Sequence, residues 1–282
     1  MDNARRHRTT WPVRAAASAA GVALLVGGCG AGGDKAAGPG PSASGRSAAP
    51  SASGAASTAA SGGGATTPTP TPFTADPARV PRSKPQADAL ARAVVLQPQD
   101  WRSGFRAQRP AASAPGTVAV LDEECRWQRR PLPSSVLASS SRYSELPGAG
   151  GKGTVKVTSS VTVHTTVEAA DQQLATTLEE ALRCREQQVR TDERISGLAS
   201  VASPYGQGGN TYADDSVVEI GSYLTGNSAQ PYHWNVARLG SVTVAVSVMG
   251  ATGYKDDELT NFASLALSKM LSRIESGLGG KN

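Results

Sequence analysis

The stretch TVKVTSSVTVHT, Thr154 to Thr165, carries the clearest structural signal in the chain. Val155, Val157, Val161 and Val163 fall on one side of an extended backbone; Lys156, Thr158, Thr162 and His164 fall on the other. A period of two means a strand with one face buried and one face polar. The preceding SVLASSSRYSEL, Ser135 to Leu146, is a weaker strand candidate, and the glycine-rich PGAGGKG between the two reads as a hairpin loop.

Moving outward, VEAADQQLATTLEEALRCREQ (Val167 to Gln187) has helical spacing, with Ala170, Leu174, Leu178, Ala181 and Leu182 as its apolar stripe and Cys184 near its end. Three strands follow as a meander: Ser216 to Thr225, Tyr232 to Arg238 and Ser241 to Gly250, the last with Val242, Val244, Val246 and Val248 on one face. Leu239-Gly240 makes the last turn tight. The final helix, Asp256 to Ser276, places Leu259, Phe262, Ala263, Ala266, Met270 and Ile274 at helical spacing, with acidic residues in its first turn and Lys269 and Arg273 towards its end. Before the hairpin, a short helix fits Gln86 to Leu96, Pro98 stops it, and Val118 to Leu121 is either a short strand or the lead into a helical turn carrying Cys125. These pieces predict an α+β fold: an antiparallel sheet of five or six strands whose valine-rich face is covered by amphipathic helices packed on one face.

The composition divides the chain into 1–28, 29–85 and 86–282. Residues 15–28 are an Ala, Gly, Val and Leu segment behind Arg5, Arg6, Arg8 and Arg14. It is shorter than the roughly 20 apolar residues of a transmembrane helix and has the plan of a secretory signal. Residues 30 to about 85 are dominated by Gly, Ala, Ser, Thr and Pro, with Phe73 and Val80 as the large apolar side chains. Such a segment cannot bury enough apolar surface to order its backbone, and reads as a disordered linker. The formal charge of +5 falls to +2 once the signal's four Arg and one Asp are removed, since 28 less 4 basic and 23 less 1 acidic residues remain. That balance is not the footprint of a nucleic-acid binder.

Val26-Gly27-Gly28-Cys29 resembles the lipobox of bacterial lipoproteins. The resemblance implies cleavage before Cys29, acylation of its thiol and new amino terminus, and a lipid anchor at the extracytoplasmic face of the cell membrane. Two or three acyl chains hold firmly where one does not. In an exported domain the remaining Cys125 and Cys184 suggest a disulfide, closing a loop of about 60 residues worth about 4 kcal/mol in the chain-entropy model. Free thiols or a metal pair are the alternative, without a CxxC to support them.

The order of strand, HTTVEAADQQL…LRCRE helix, HWNVARLGSVTVAVSVMG hairpin and C-terminal amphipathic helix resembles the PknH-like extracellular sensor domain of actinobacterial receptor kinases and stand-alone lipoproteins. The resemblance covers roughly Gln86 to Gly277 and implies a cleft-bearing α+β domain that binds a small ligand outside the cell. Kinase-type members of that family usually carry two disulfides, and only Cys125–Cys184 can form here.

Motifs that would name a reaction are missing. GAGGKGT, Gly148 to Thr154, fails as a phosphate loop because Gly153 follows Lys152 and a strand follows that. No GxSxG or SxxK marks an activated serine for His164 or His233. Asp214-Asp215 lacks the alternation of a calcium loop, and Asp256, Asp257 and Glu258 open a helix. No cofactor or metal is expected. The candidate ligand contacts are Arg126, Trp127 and Arg129 in the basic run CRWQRRP, read as a solvated loop, together with Tyr205 and Trp234. The expectation is a non-catalytic, lipid-anchored domain that binds a small ligand or an envelope protein. A cell-envelope hydrolase, or a lipid carrier with an apolar cavity, is the alternative.

Overall fold

The computed structural model describes residues 73–201 and 213–279. The signal segment, Cys29, most of the linker and Tyr205 lie outside the described residues. Phe73 and Ala75 already pack against the core, and the Asp76 N–H bonds the Leu278 carbonyl at 3.0 Å, so folded structure starts before residue 86.

Val155–His164 forms a strand, β5, at the centre of the molecule. The elements before it are helices α1 (Lys84–Val94) and α2 (Pro98–Trp101), then β1 (Arg106–Ala112), β2 (Thr117–Leu121), β3 (Trp127–Pro131) and β4 (Val136–Leu146). After it come helix α3 (Val167–Arg183), β6 (Gln187–Arg190), β7 (Glu193–Val201), β8 (Asp215–Thr225), β9 (Ser228–Leu239), β10 (Val242–Met249) and helix α4 (Asp256–Leu278). Eight strands make one antiparallel sheet in the order β1-β4-β5-β10-β9-β8-β7-β6, and β2 with β3 makes a separate two-stranded sheet.

This corrects the expected sheet of five or six strands with helices on one face. The missed strands are those whose sequence hides the period of two. β1 contains Pro110 and occupies one edge of the sheet, where a missing N–H costs no ladder bond. β3 is basic and carries Trp127, Arg129 and Arg130, so the run read as a solvated loop is a strand paired with β2. β6 is short and polar at the other edge, and β7 breaks its register between Ser196 and Ala199, around Gly197 at φ 63°.

The helices divide between the two faces. The valines of β5 and β10 join Ala91 and Val94 of α1 and Leu259, Met270 and Ile274 of α4 in the main core. Helix α3 lies on the opposite face, where Leu174 meets Val217, Val236 and Ala245, and Ala181 meets Ile195, Tyr223 and Tyr232. Every residue of β10 is therefore buried. The apolar stripe assigned to α3 is rotated from its true position: Leu178 and Leu182 are exposed, the latter 83 %, and Thr177 turns inward.

The sheet is curled towards the α3 face. Lys156 of β5 and Glu193 of β7 are four strand spacings apart, about 19 Å in a flat sheet. Their side chains form an ion pair at 2.5 Å. That contact closes one end of a concave surface.

Candidate ligand-binding cleft

The concave face is polar at its centre because Thr158, Ser160 and Thr162 of β5, on the side opposite its valines, pair with Tyr143, Ser141 and Ser139 of β4. Ser141 and Ser160 hydrogen-bond to each other at 2.9 Å, and Ser139 lies 3.3 Å from Thr162. Helix α3 flanks this floor on one side. The β2–β3 hairpin flanks it on the other.

A two-stranded hairpin is marginal by itself in water, and this one is held from outside. Cys125, in the turn before β3 at φ 60°, is bridged to Cys184 at the C-cap of α3, with Cα atoms 5.5 Å apart. The Gln188 N–H donates to the Cys125 carbonyl at 2.8 Å, and Arg183 donates to the Asp122 carbonyl at 3.1 Å. Trp127 Nε1–H donates to Gln187 Oε1 at 2.8 Å. Arg129 ties the hairpin to the floor, donating to Ser141 Oγ at 3.3 Å.

Between hairpin, floor and α3 lie two adjoining cavities of about 290 and 220 Å³. Both are lined by Trp127, Trp234, Ala119, Ser141 and Ser160. The two tryptophan rings stand 6.1 Å apart at 53°. Trp127 comes from β3 of the hairpin and Trp234 from β9 of the main sheet, so the pair couples the two layers across the cleft.

The larger cavity ends at His164, Gln173 and Thr243, and Glu180, about two helical turns along α3 from Gln173, lines it nearer the tryptophans. Gln173 Oε1 accepts from Thr243 Oγ1 at 2.6 Å and from His164 Nε2–H at 2.8 Å. An amide oxygen only accepts, so this arrangement puts the imidazole proton on Nε2 and leaves Nδ1 as a buried acceptor without a partner. Burial lowers the His164 pKa, against a smaller opposing effect of Gln173. Burial brings the Glu180 carboxyl up to about 7, although Arg183 and the Leu121 N–H favour its charged form. The smaller cavity is lined instead by Arg129, Arg190, Tyr143 and Tyr232.

Of the candidate ligand contacts, Trp127, Arg129 and Trp234 come together here. Arg126 does not: it is exposed, lines neither cavity, and pairs with Asp122 at 3.1 Å and Glu124 at 2.9 Å. His164 and His233 are separated by the sheet, for His233 faces α4 and binds Asp256 at 3.0 Å. Asp214 is taken up by Arg238 at 3.1 Å and the Gly240 N–H at 2.7 Å. Among the described residues, no cluster of three or more His, Cys, Asp and Glu could hold a metal ion, and no helix is long and apolar enough to cross a membrane.

Glu180, Gln173 and Tyr232 escaped the sequence reading. Glu180 interrupts the inward stripe of α3 beside Ala181, and a charged residue at a stripe position was the signal available for it.

No family model matches the chain. No curated protein matches it either. Among solved structures it is similar to the extracellular domain of PknH from Mycobacterium tuberculosis, at 13 % identity and a TM-score of 0.45, over 66 % of this chain and 97 % of that one. It is also similar to an uncharacterised protein of Mycobacterium smegmatis, at 12 % identity and a TM-score of 0.33, over 70 % of this chain and 97 % of the other. At these scores neither likeness assigns a function.

Proposed function

We propose that this chain is a non-catalytic, extracytoplasmic ligand-binding protein, lipid-anchored through Cys29, whose cleft between the β2–β3 hairpin, the curled sheet and α3 takes a small molecule. The observation that carries this reading is the Trp127–Trp234 pair shared by two adjoining cavities. Ligand sites are concave, lined by aromatic and apolar groups with a few placed polar atoms, and this cleft has that make-up. The disulfide at its rim suits an oxidising compartment. The lipobox-like Val26 to Cys29 supplies the anchor in this reading.

The chemistry of the cleft favours binding over turnover. A serine nucleophile needs an imidazole within hydrogen-bond reach as its base. The hydroxyl beside His164 belongs to Thr243, and it donates to Gln173. The floor serines bond to one another and to Arg129.

Native mass spectrometry of gently purified full chain, with a small-molecule thermal-shift screen, tests the binding reading. A retained or stabilising compound that is lost in Trp234→Ala is expected. Turnover of generic ester, glycoside or peptide substrates that disappears in His164→Ala would replace it with the hydrolase. Mass analysis of the mature N-terminal peptide tests the anchor: acylated Cys29 is expected, and an unmodified terminus would overturn it.

A further inference from the structure

The smaller cavity has a charge imbalance that the fold leaves standing. Arg129 lies half-buried on β3, facing the cleft. Its hydrogen bonds go to Thr117 Oγ1 at 3.0 Å, the Thr117 carbonyl at 2.7 Å and Ser141 Oγ at 3.3 Å. All three acceptors are neutral, and a guanidinium has five N–H donors. Among the described residues no carboxylate lies within ion-pair distance of it, whereas the exposed Arg126 next door has two. A desolvated cation without a counter-charge is costly. Burial accordingly pulls the Arg129 pKa down from its ordinary value.

The second cation of the cavity does not relieve this. Arg190 is bound to Glu193, and the same carboxylate also holds Lys156. One negative charge there serves two positive ones. The carboxyl group of the cleft itself, Glu180, lines the larger cavity and not this one, and it accepts from the Leu121 N–H beside Trp127. Along the cleft, then, a cationic end is followed by the two tryptophan rings and by a polar, largely uncharged end at His164 and Gln173.

We propose that the cleft selects a small soluble amphipathic anion, its carboxylate or phosphate held by Arg129 and its ring or short apolar chain lying against Trp127 and Trp234. This rests on the ligand-binding reading above and adds the class of ligand. The guanidinium is oriented in advance, because the Thr117 and Ser141 bonds fix its plane and leave one N–H on each of Nη1 and Nη2 for a carboxylate or phosphate. Its position on the hairpin, bonded to Thr117 at the end away from the disulfide-held turn, ties recognition of the anion to the layer that covers it.

Titration calorimetry on the full chain tests the assignment with four probes: naphthoate, naphthyl phosphate, the neutral naphthalenemethanol and inorganic phosphate. A charge-assisted contact predicts that the two naphthyl anions bind about tenfold or more tighter than the alcohol, and that inorganic phosphate, lacking the apolar body, binds far more weakly than naphthyl phosphate. In Arg129→Gln the anions should fall to the affinity that the alcohol has for the same variant, and an unchanged near-ultraviolet circular dichroism spectrum shows that the variant is folded. Arg129→Lys should recover part of the preference. Should Arg129→Gln not fold, salt decides on the parent chain: high salt should weaken the anions and spare the alcohol. Equal affinity for naphthoate and naphthalenemethanol would overturn the anion assignment and leave the binding cleft standing. Binding of none of the naphthyl probes would overturn both. Displacement of naphthoate by phosphatidylglycerol vesicles would overturn the choice of a soluble anion in favour of a lipid headgroup.

Discussion

Glu180 on α3 and Glu219 on β8 share one water-poor layer, and the charge of Glu180 raises the pKa of Glu219. Burial is the larger cause, since Glu219 is only 2 % exposed, and Ser200 opposes it with a 3.4 Å hydrogen bond. Each carboxyl is brought from 4.5 to about 7. In that window the folded chain binds more protons than the unfolded chain, so both groups cost stability increasingly as pH rises through it.

Replacing Glu219 with Gln removes the ionisation and should reverse that cost. Relative to the parent, Glu219→Gln is expected to gain about 1–3 kcal/mol between pH 5 and pH 8. Urea unfolding of both proteins at the two pH values measures it. The comparison is between variants because His164, whose pKa is lowered, acts in the opposite sense below its ordinary value of 6.5. A difference that does not change with pH would refute the linkage.

Asp100 gives a dependence of the other sign. Burial raises its carboxyl, but hydrogen bonds from Arg273, the Gln97 N–H and Lys269 outweigh this and bring it down to about 2. Its stabilisation is present above its ordinary value of 3.8 and is lost as pH falls towards about 2. Asp100→Asn should lose about 1–2 kcal/mol at pH 7, with the gap closing in acid. A penalty that persists unchanged to pH 2 would show that packing, and not charge, is at stake.

The Cys125–Cys184 bridge closes a separation of 59 residues and pins the hairpin to the end of α3. Changing both residues to Ser is expected to cost about 2–4 kcal/mol and to lower Tm by roughly 5–15 °C. Amide exchange should rise first in β2 and β3, because their other ties are single hydrogen bonds and the Trp127–Trp234 ring contact. Uniform exchange across the whole domain would contradict that local role.

Gly250 follows β10 where a side chain has no room. A Cβ there would come 2.7 Å from the Pro231 carbonyl oxygen and 2.7 Å from Leu259 Cδ1. The oxygen cannot withdraw easily, since it accepts the Gly250 N–H at 2.8 Å. Gly250→Ala should cost about 1–3 kcal/mol of stability, read as a lower denaturant midpoint with an unchanged m value.

The alternating valines of β5 and β10 were legible because one face of each meets only helices α1 and α4. Helices α3 and α4 were legible from their spacing, with residues 178 and 182 misread because Leu suits an exposed helical position as well as a buried one. The strands that were not legible sit at or next to an edge or in the hairpin, where Pro110, Arg129 and Gly197 replace apolar alternation with other demands. Three of the cleft's side chains, Trp127, Arg129 and Trp234, could be singled out by type. Their convergence could not, because it depends on the curl of the sheet and on a hairpin folded over it, and neither leaves a periodic trace.

The bond from Asp76 to Leu278 puts the chain's entry and the end of α4 side by side beneath the helical layer, with the sheet between them and the tryptophans. A fluorescent protein or affinity tag joined at either of these two points occupies the back of the domain and leaves its mouth open. The two points also lie near enough for a short connector to join them, so new ends could be cut at a surface turn such as Gly226-Asn227 without disturbing the strands that form the floor.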